Sequence, residues 1–113
     1  MVIDDNPDQV ELVRRVLEDR GDEVEGYSDP FRALSDAIEH NPDVVVVDQL
    51  MPLMEGTRLI KEMKKAGVKA KFILFSGLVG LDTLSAIRSG LADKCLKKPI
   101  PNDTLFREVH AVL

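Results

Sequence analysis

Residues 44–48 read Val44-Val45-Val46-Val47-Asp48. Four β-branched residues in succession favour extended backbone. With no polar residue alternating among them, they describe a strand covered on both faces, as in a parallel sheet. Phe72-Ile73-Leu74-Phe75 repeats that character further along. Around these two runs lie amphipathic stretches about a dozen residues long, the rhythm of βαβ units. Upstream, Asn41-Pro42-Asp43 is a turn, and the helix before it opens at Ser28-Asp29-Pro30 and carries Phe31, Leu34 and Ile38. Val24 and Tyr27 mark a weak strand among Glu23, Glu25 and Gly26. A first helix is capped by Asn6 with Pro7 at its first position; it carries Val10, Val13, Val16 and Leu17 and ends at Arg20-Gly21-Asp22. Met1-Val2-Ile3 is left as an unusually short first strand. Downstream of Asp48, a loop through Gly56 leads to a helix with Leu59 and Met63. Leu84, Ile87 and Leu91 suit a fourth helix, Cys95 and Leu96 between Lys94 and Lys97 a fifth strand, and Leu105, Val109 and Val112 a last helix.

Five strands thus alternate with five helices. The third and fourth strands are fully apolar and belong inside the sheet, whereas the second and fifth carry charge and belong at its edges. The expected fold class is α/β, a doubly wound five-stranded parallel sheet of order 2-1-3-4-5. A length of 113 residues favours one domain spanning 1–113, with roughly two-thirds of the unfolded surface buried. Fifteen Lys and Arg against twenty Asp and Glu leave a net charge of −5, which argues against direct nucleic-acid binding, since phosphate contacts need clustered cations. The single cysteine, Cys95, excludes an internal disulfide framework and fits a reducing, cytoplasmic setting. No apolar run approaches the roughly 20 residues of a membrane span, and Asp4 and Asp5 arrive too early for a secretory signal.

In such sheets, ligands bind outside the carboxyl ends of the strands, where the order reverses between strands one and three. The residues expected there are Asp4-Asp5, Asp48, Ser76-Gly77 and Lys98-Pro99, because right-handed crossovers put all four strand ends on one edge. Taken singly, each is unremarkable: Asp4-Asp5 suits a helix N-terminus, Asp48 and Ser76-Gly77 suit turns, and Lys98-Pro99 suits a solvated loop. Their coincidence at one edge is what points to chemistry. Clustered carboxylates repel one another, and a hard divalent cation such as Mg²⁺ resolves the repulsion with oxygen ligands. A carboxylate beside such an ion can act as a nucleophile and form an acyl phosphate. The cation and a Lys would neutralise charge on the transferring phosphoryl oxygens.

At this point the residues resemble a known family, the receiver domains of two-component response regulators, over essentially the whole chain. Asp48-Gln49-Leu50-Met51-Pro52-Leu53-Met54-Glu55-Gly56 is similar to the family's phosphoacceptor loop, Asp-x-x-Met-Pro-x-x-x-Gly. Asp4-Asp5, Ser76 and Lys98-Pro99 match its other signatures in order. The resemblance implies a (βα)5 flavodoxin-like fold with Asp48 as phosphoacceptor. It implies Mg²⁺, for which Mn²⁺ can substitute, held by Asp4, Asp5, Asp48 and the backbone carbonyl of Leu50. Ser76 and Lys98 would meet the phosphoryl group. The implied donor is the phosphohistidine of a sensor histidine kinase or phosphotransfer protein. Phosphorylation would switch the face made by helix four, strand five and helix five, where a second receiver can dock; Leu81, Leu84, Lys94 and Lys97 are candidates for it. The resemblance implies a phosphoacceptor switch rather than an enzyme, with at most self-catalysed transfer and slow autodephosphorylation.

Four departures from the family pattern stand out. Cys95 occupies the position of the usual aromatic switch residue, three before Lys98. The stretch Gly90 to Lys98 is one residue longer than common. The first strand reads as clipped, and any output domain would lie outside this chain. Leu50 and Leu78, two positions beyond Asp48 and Ser76, flank the path of attacking water and offer it no hydrogen bond, so the phosphoaspartate is expected to hydrolyse slowly. His40 and His110 show no ligand spacing, and Met51, Met54 and Met63 read as packing residues. Lys61, Lys64, Lys65, Lys69 and Lys71 read as a solvated run. A haloacid-dehalogenase-type phosphatase would need Asp-x-Asp after the first strand, and no Asp here is followed two residues later by another. The remaining alternative is a phosphorylation-independent pseudo-receiver that acts as a protein-interaction module.

Overall fold

The computed structural model describes residues 1–78 and 80–113. Its elements are β1 (Val2–Ile3), α1 (Pro7–Glu18), β2 (Gly26–Tyr27), α2 (Pro30–His40), β3 (Val44–Asp48), α3 (Gly56–Lys65), β4 (Lys71–Ser76), α4 (Leu81–Arg88), β5 (Lys94–Lys97) and α5 (Asn102–Ala111). The sheet has the order β2-β1-β3-β4-β5, every pairing parallel. The apolar runs are interior and the charged strands are the edges, as expected.

Successive strand side chains point to opposite faces, so β3 feeds two cores. Val45 and Val47 join Ile3, Leu59, Ile60, Met63, Phe72 and Leu74 on the face covered by α2, α3 and α4. Val46 joins Val2, Ile73 and Phe75 with Val10, Val13, Val16 and Leu17 of α1 and Leu105 and Val109 of α5. Asn6 caps α1 by accepting the Asp8 N–H at 3.0 Å, and Asp29 caps α2 by accepting the Phe31 N–H at 2.9 Å.

Three expectations are corrected. The buried face of α2 is Pro30, Ala33 and Ala37, while Phe31 and Ile38 face solvent. The buried face of α4 is Thr83 and Ala86, while Leu84 and Ile87 are exposed. In both helices, small residues permit close approach to the sheet, and the larger apolar residues are displaced outward. Val24 stands just outside the second strand, which is Gly26–Tyr27; a Cβ on Gly26 would lie 2.5 Å from Cγ1 of Val10, so this edge admits α1 only because the residue is Gly.

Candidate functional site

Because all five strands run parallel, β1, β3, β4 and β5 deliver their carboxyl ends to one edge. Asp4 and Asp5 follow β1, Asp48 ends β3, Ser76 ends β4 and Lys98 follows β5. A carboxylate oxygen from each of Asp4, Asp5 and Asp48 lies within 4.8 Å of the others. Asp4 and Asp48 are buried and Asp5 is exposed. Lys98 Nζ donates to Asp4 Oδ2 at 2.8 Å and lies 3.2 Å from Asp48 Oδ1. The same ammonium sits 5.2 Å from the centroid of the Phe75 ring.

Local structure holds each group. Asp4 Oδ1 accepts the Asn6 N–H at 3.0 Å, fixing the turn into α1. The Lys98 N–H donates to the Ser76 carbonyl at 2.8 Å, tying the start of the β5–α5 loop to the end of β4. The Lys98–Pro99 peptide bond is cis, a form seen in only about 5–6% of X-Pro bonds. After β3, Gln49 N–H bonds to the Phe75 carbonyl and Gln49 Oε1 accepts the Thr57 N–H at 2.9 Å. Gly56 closes that loop; a Cβ there would lie 2.4 Å from the Asp48 carbonyl oxygen.

Ser76 is at the same edge, buried, with its hydroxyl turned into its own loop. Its Oγ donates to the Leu78 carbonyl at 2.6 Å and accepts the Leu78 N–H at 3.2 Å. Leu50 and Leu78 lie on the loops after β3 and β4 with their side chains exposed. Cys95 is half-buried against the core, and burial pushes its thiol pKa up.

The electrostatics are those of an unresolved repulsion. Burial, then the neighbouring charge of Asp4, push the Asp48 carboxyl above the usual range by more than Lys98 pulls it down. Burial works against the Lys98 ammonium, but its bond to Asp4 and the charges of Asp4 and Asp48 raise its pKa on balance. One ammonium therefore shares two buried carboxylates, with Asp5 at the rim. Such an all-oxygen donor set, in excess of its cation, fits Mg²⁺ or Mn²⁺.

Two features were not read from the sequence. One is the Phe75 ring beside Lys98, hidden because Phe75 reads simply as core. The other is a second cluster at the opposite end of the sheet: Glu25, Asp36 and His40 place ligand atoms within 4.8 Å of one another. There the Tyr27 hydroxyl lies 2.8 Å from Glu25 Oε2 and 2.6 Å from Asp36 Oδ2, and His40 Nδ1 lies 3.0 Å from Glu25 Oε2. Asp36 and His40 are four apart on α2, which puts them on one helix face; that interval was the available signal. His110, bonded to Asp22 at 2.8 Å, lines the same cavity as His40.

Comparison with known proteins agrees with this fold. The family model of the response regulator receiver domain matches residues 1–110. A response regulator receiver protein of Anaeromyxobacter sp. is 32% identical over 100 residues, covering 88% of this chain and 42% of that protein. Response regulator MprA of Mycobacterium sp. strain KMS is 30% identical, covering 100% of this chain and 49% of that protein. The chain therefore spans about half the length of these relatives or less. Among solved structures, chemotaxis protein CheY4 of Vibrio cholerae superposes with a TM-score of 0.89 at 26% identity, covering 99% of this chain and 95% of that one. A receiver domain protein from Clostridium thermocellum gives a TM-score of 0.88 at 27% identity, covering 98% and 90%.

Proposed function

The chain belongs to the response regulator receiver family and is a receiver domain of two-component signalling; within that role we propose that Asp48 accepts a phosphoryl group from the phosphohistidine of a sensor histidine kinase or phosphotransfer protein. The observation that carries this reading is the sharing of Lys98 between Asp4 and Asp48, beside Asp5. Asp48 is the acceptor because it ends the central strand β3, with Lys98 on one side and the acidic pair of β1 on the other.

An Asp48 carboxylate oxygen bonds to phosphorus as the phosphorus–nitrogen bond to the donor imidazole breaks. The electron pair of that bond returns to the imidazole nitrogen. Asp4, Asp5, Asp48 and the Leu50 carbonyl would hold Mg²⁺, or Mn²⁺ in its place. When bound, the cation supplies charge neutralisation to the transferring phosphoryl oxygens. Lys98 contributes a second positive charge, which it can direct to a phosphoryl oxygen by exchanging its present carboxylate contacts. The chain acts as a switch rather than an enzyme with turnover.

The readout follows from Ser76. Its hydroxyl gives up the Leu78 carbonyl and donates to the phosphoryl group, which pulls on the β4–α4 loop. This is a population shift between two loop arrangements. The face affected is α4-β5-α5, where Leu81, Leu84 and Ile87 are exposed and Lys94 pairs with Glu108 across β5 and α5. With Lys97 exposed beside them, these residues would form a docking surface for an output partner or a second receiver. No helix among the described residues is long and apolar enough to cross a membrane.

The test is incubation with acetyl phosphate, with and without Mg²⁺, followed by assay for hydroxylamine-labile phosphate. Labile phosphate formed only with the cation is the expected result. A folded, Mg²⁺-binding protein that stays unmodified would favour the pseudo-receiver reading.

A further inference from the structure

The side chain of Lys98 has to cross a strand to reach its partners. In sheet order the site reads Asp4 after β1, Asp48 at the end of β3, Phe75 and Ser76 at the end of β4, and Lys98 after β5. Yet Lys98 Nζ lies 2.8 Å from Asp4 Oδ2 and 3.2 Å from Asp48 Oδ1. Neighbouring strands stand about 4.8 Å apart, so the ammonium is delivered across the end of β4. The residue beneath it there is Phe75, whose ring centroid lies 5.2 Å from Nζ.

The sheet register explains the placement. Phe75 pairs with Asp48 across β3 and β4. Val46 and Asp48, two apart on β3, share a face, and Val46 belongs to the same core as Phe75. Ring and carboxylate therefore stand side by side on the face covered by α1 and α5. The ring is 6% exposed and anchored in that core, so it orients the ammonium rather than following it. Any large apolar side chain would fill the core at this position. Only an aromatic ring adds a negative face that attracts a cation within about 6 Å. At rest the ammonium lies nearer Asp4 than Asp48. To meet a phosphoryl oxygen on Asp48 it has to surrender Asp4, and that movement is toward β4 and the ring. The carboxylate contacts are exchanged in the process, whereas the attraction of a neutral ring is kept.

We propose that Phe75 is a positioning residue for phosphoryl transfer: its ring face draws the Lys98 ammonium away from Asp4 and holds it at Asp48, where the phosphoryl group arrives. The role rests on Asp48 as the acceptor, and it acts only through Lys98.

The experiment replaces Phe75 by pentafluorophenylalanine, which keeps the shape and apolar character of the ring but reverses the charge of its face, with Phe75→Tyr as the version that keeps the attraction. Two quantities are read. In the resting protein, without donor or Mg²⁺, nuclear magnetic relaxation of the Lys98 ε-carbon reports how firmly the side chain is held. With acetyl phosphate and Mg²⁺, the rate of labile phosphate formation reports transfer. The pentafluoro version should show a more mobile Lys98 and a rate about fivefold lower, and Phe75→Tyr should recover both. In a Lys98→Met background the two rings should give the same rate, because a residue that acts through Lys98 has nothing left to position. Equal mobility and equal rates in the pentafluoro and unmodified proteins would overturn the proposal. A fivefold fall that persists in the Lys98→Met background would overturn it too and assign the effect to packing. Labile phosphate absent even from the unmodified protein would instead overturn Asp48 as the acceptor, while the relaxation data still decide whether the ring holds Lys98.

Discussion

At the residue scale, Asp48 is held in conflict. Its carboxyl is pushed up by burial and by Asp4, so its ionised form costs the fold free energy. A group whose folded pKa lies above its unfolded value loses stability for the fold as pH rises through that interval. Asp48→Asn should therefore stabilise the fold at neutral pH, seen as a higher thermal midpoint. The gain should vanish in acid below the ordinary carboxylate range, where both forms are uncharged; thermal melts at the two pH values check this. A gain persisting in acid would place its cause in packing. Leu50 and Leu78 bear on lifetime: replacing both by polar residues should shorten the phosphoaspartate half-life several-fold, read by loss of labile phosphate after donor removal. That Asp4, Asp5, Asp48, Ser76 and Lys98 gather at one edge was legible because a parallel sheet sets the residues that end or follow its strands on one side. Ser76's engagement with Leu78 was not legible, since a hydroxyl bonded within its own loop leaves no mark in spacing.

At the element scale, the helices divide by how closely they approach the sheet. Ala33 and Ala37 are fully buried, whereas Phe31 and Ile38 are more than half exposed. Ala37→Leu should destabilise by about 1–3 kcal/mol through overpacking, while Ile38→Ser should stay within about 0.5 kcal/mol; urea unfolding distinguishes them. The periodicity of Phe31, Leu34 and Ile38 correctly marked a helix, but of the three only Leu34 packs against the core, because hydrophobicity alone weights large side chains over the small ones that close approach requires. The same reason explains α4, where Thr83 and Ala86 face inward. By contrast, the core positions named for α1 and α3, Val10, Val13, Val16, Leu17, Leu59 and Met63, are all buried, although Ile60 of α3, fully buried as well, was not among them. Gly56 is the element-scale link to chemistry. Gly56→Ala would press a methyl against the Asp48 carbonyl, and it should slow phosphorylation as well as lower stability.

At the scale of the whole molecule, the parallel sheet sets the candidate functional groups at one end, the carboxyl ends of its strands. The order β2-β1-β3-β4-β5 was legible from which strands carry charge. Binding of Mg²⁺ to the native state alone should stabilise the fold by mass action, by about 2.7 kcal/mol at a hundredfold excess over Kd. The gain should be largely lost in Asp5→Asn, measured as the shift in unfolding midpoint with and without the cation. The measurement that tests the central claim most directly is mapping of the modified residue. The protein is phosphorylated with acetyl phosphate and Mg²⁺, reduced with borohydride to convert an acyl phosphate to homoserine, and digested for peptide mass analysis. Homoserine at residue 48, absent without donor, is the predicted result. Modification at Asp4 or Asp5 instead, or none in a protein that still binds Mg²⁺, would contradict it.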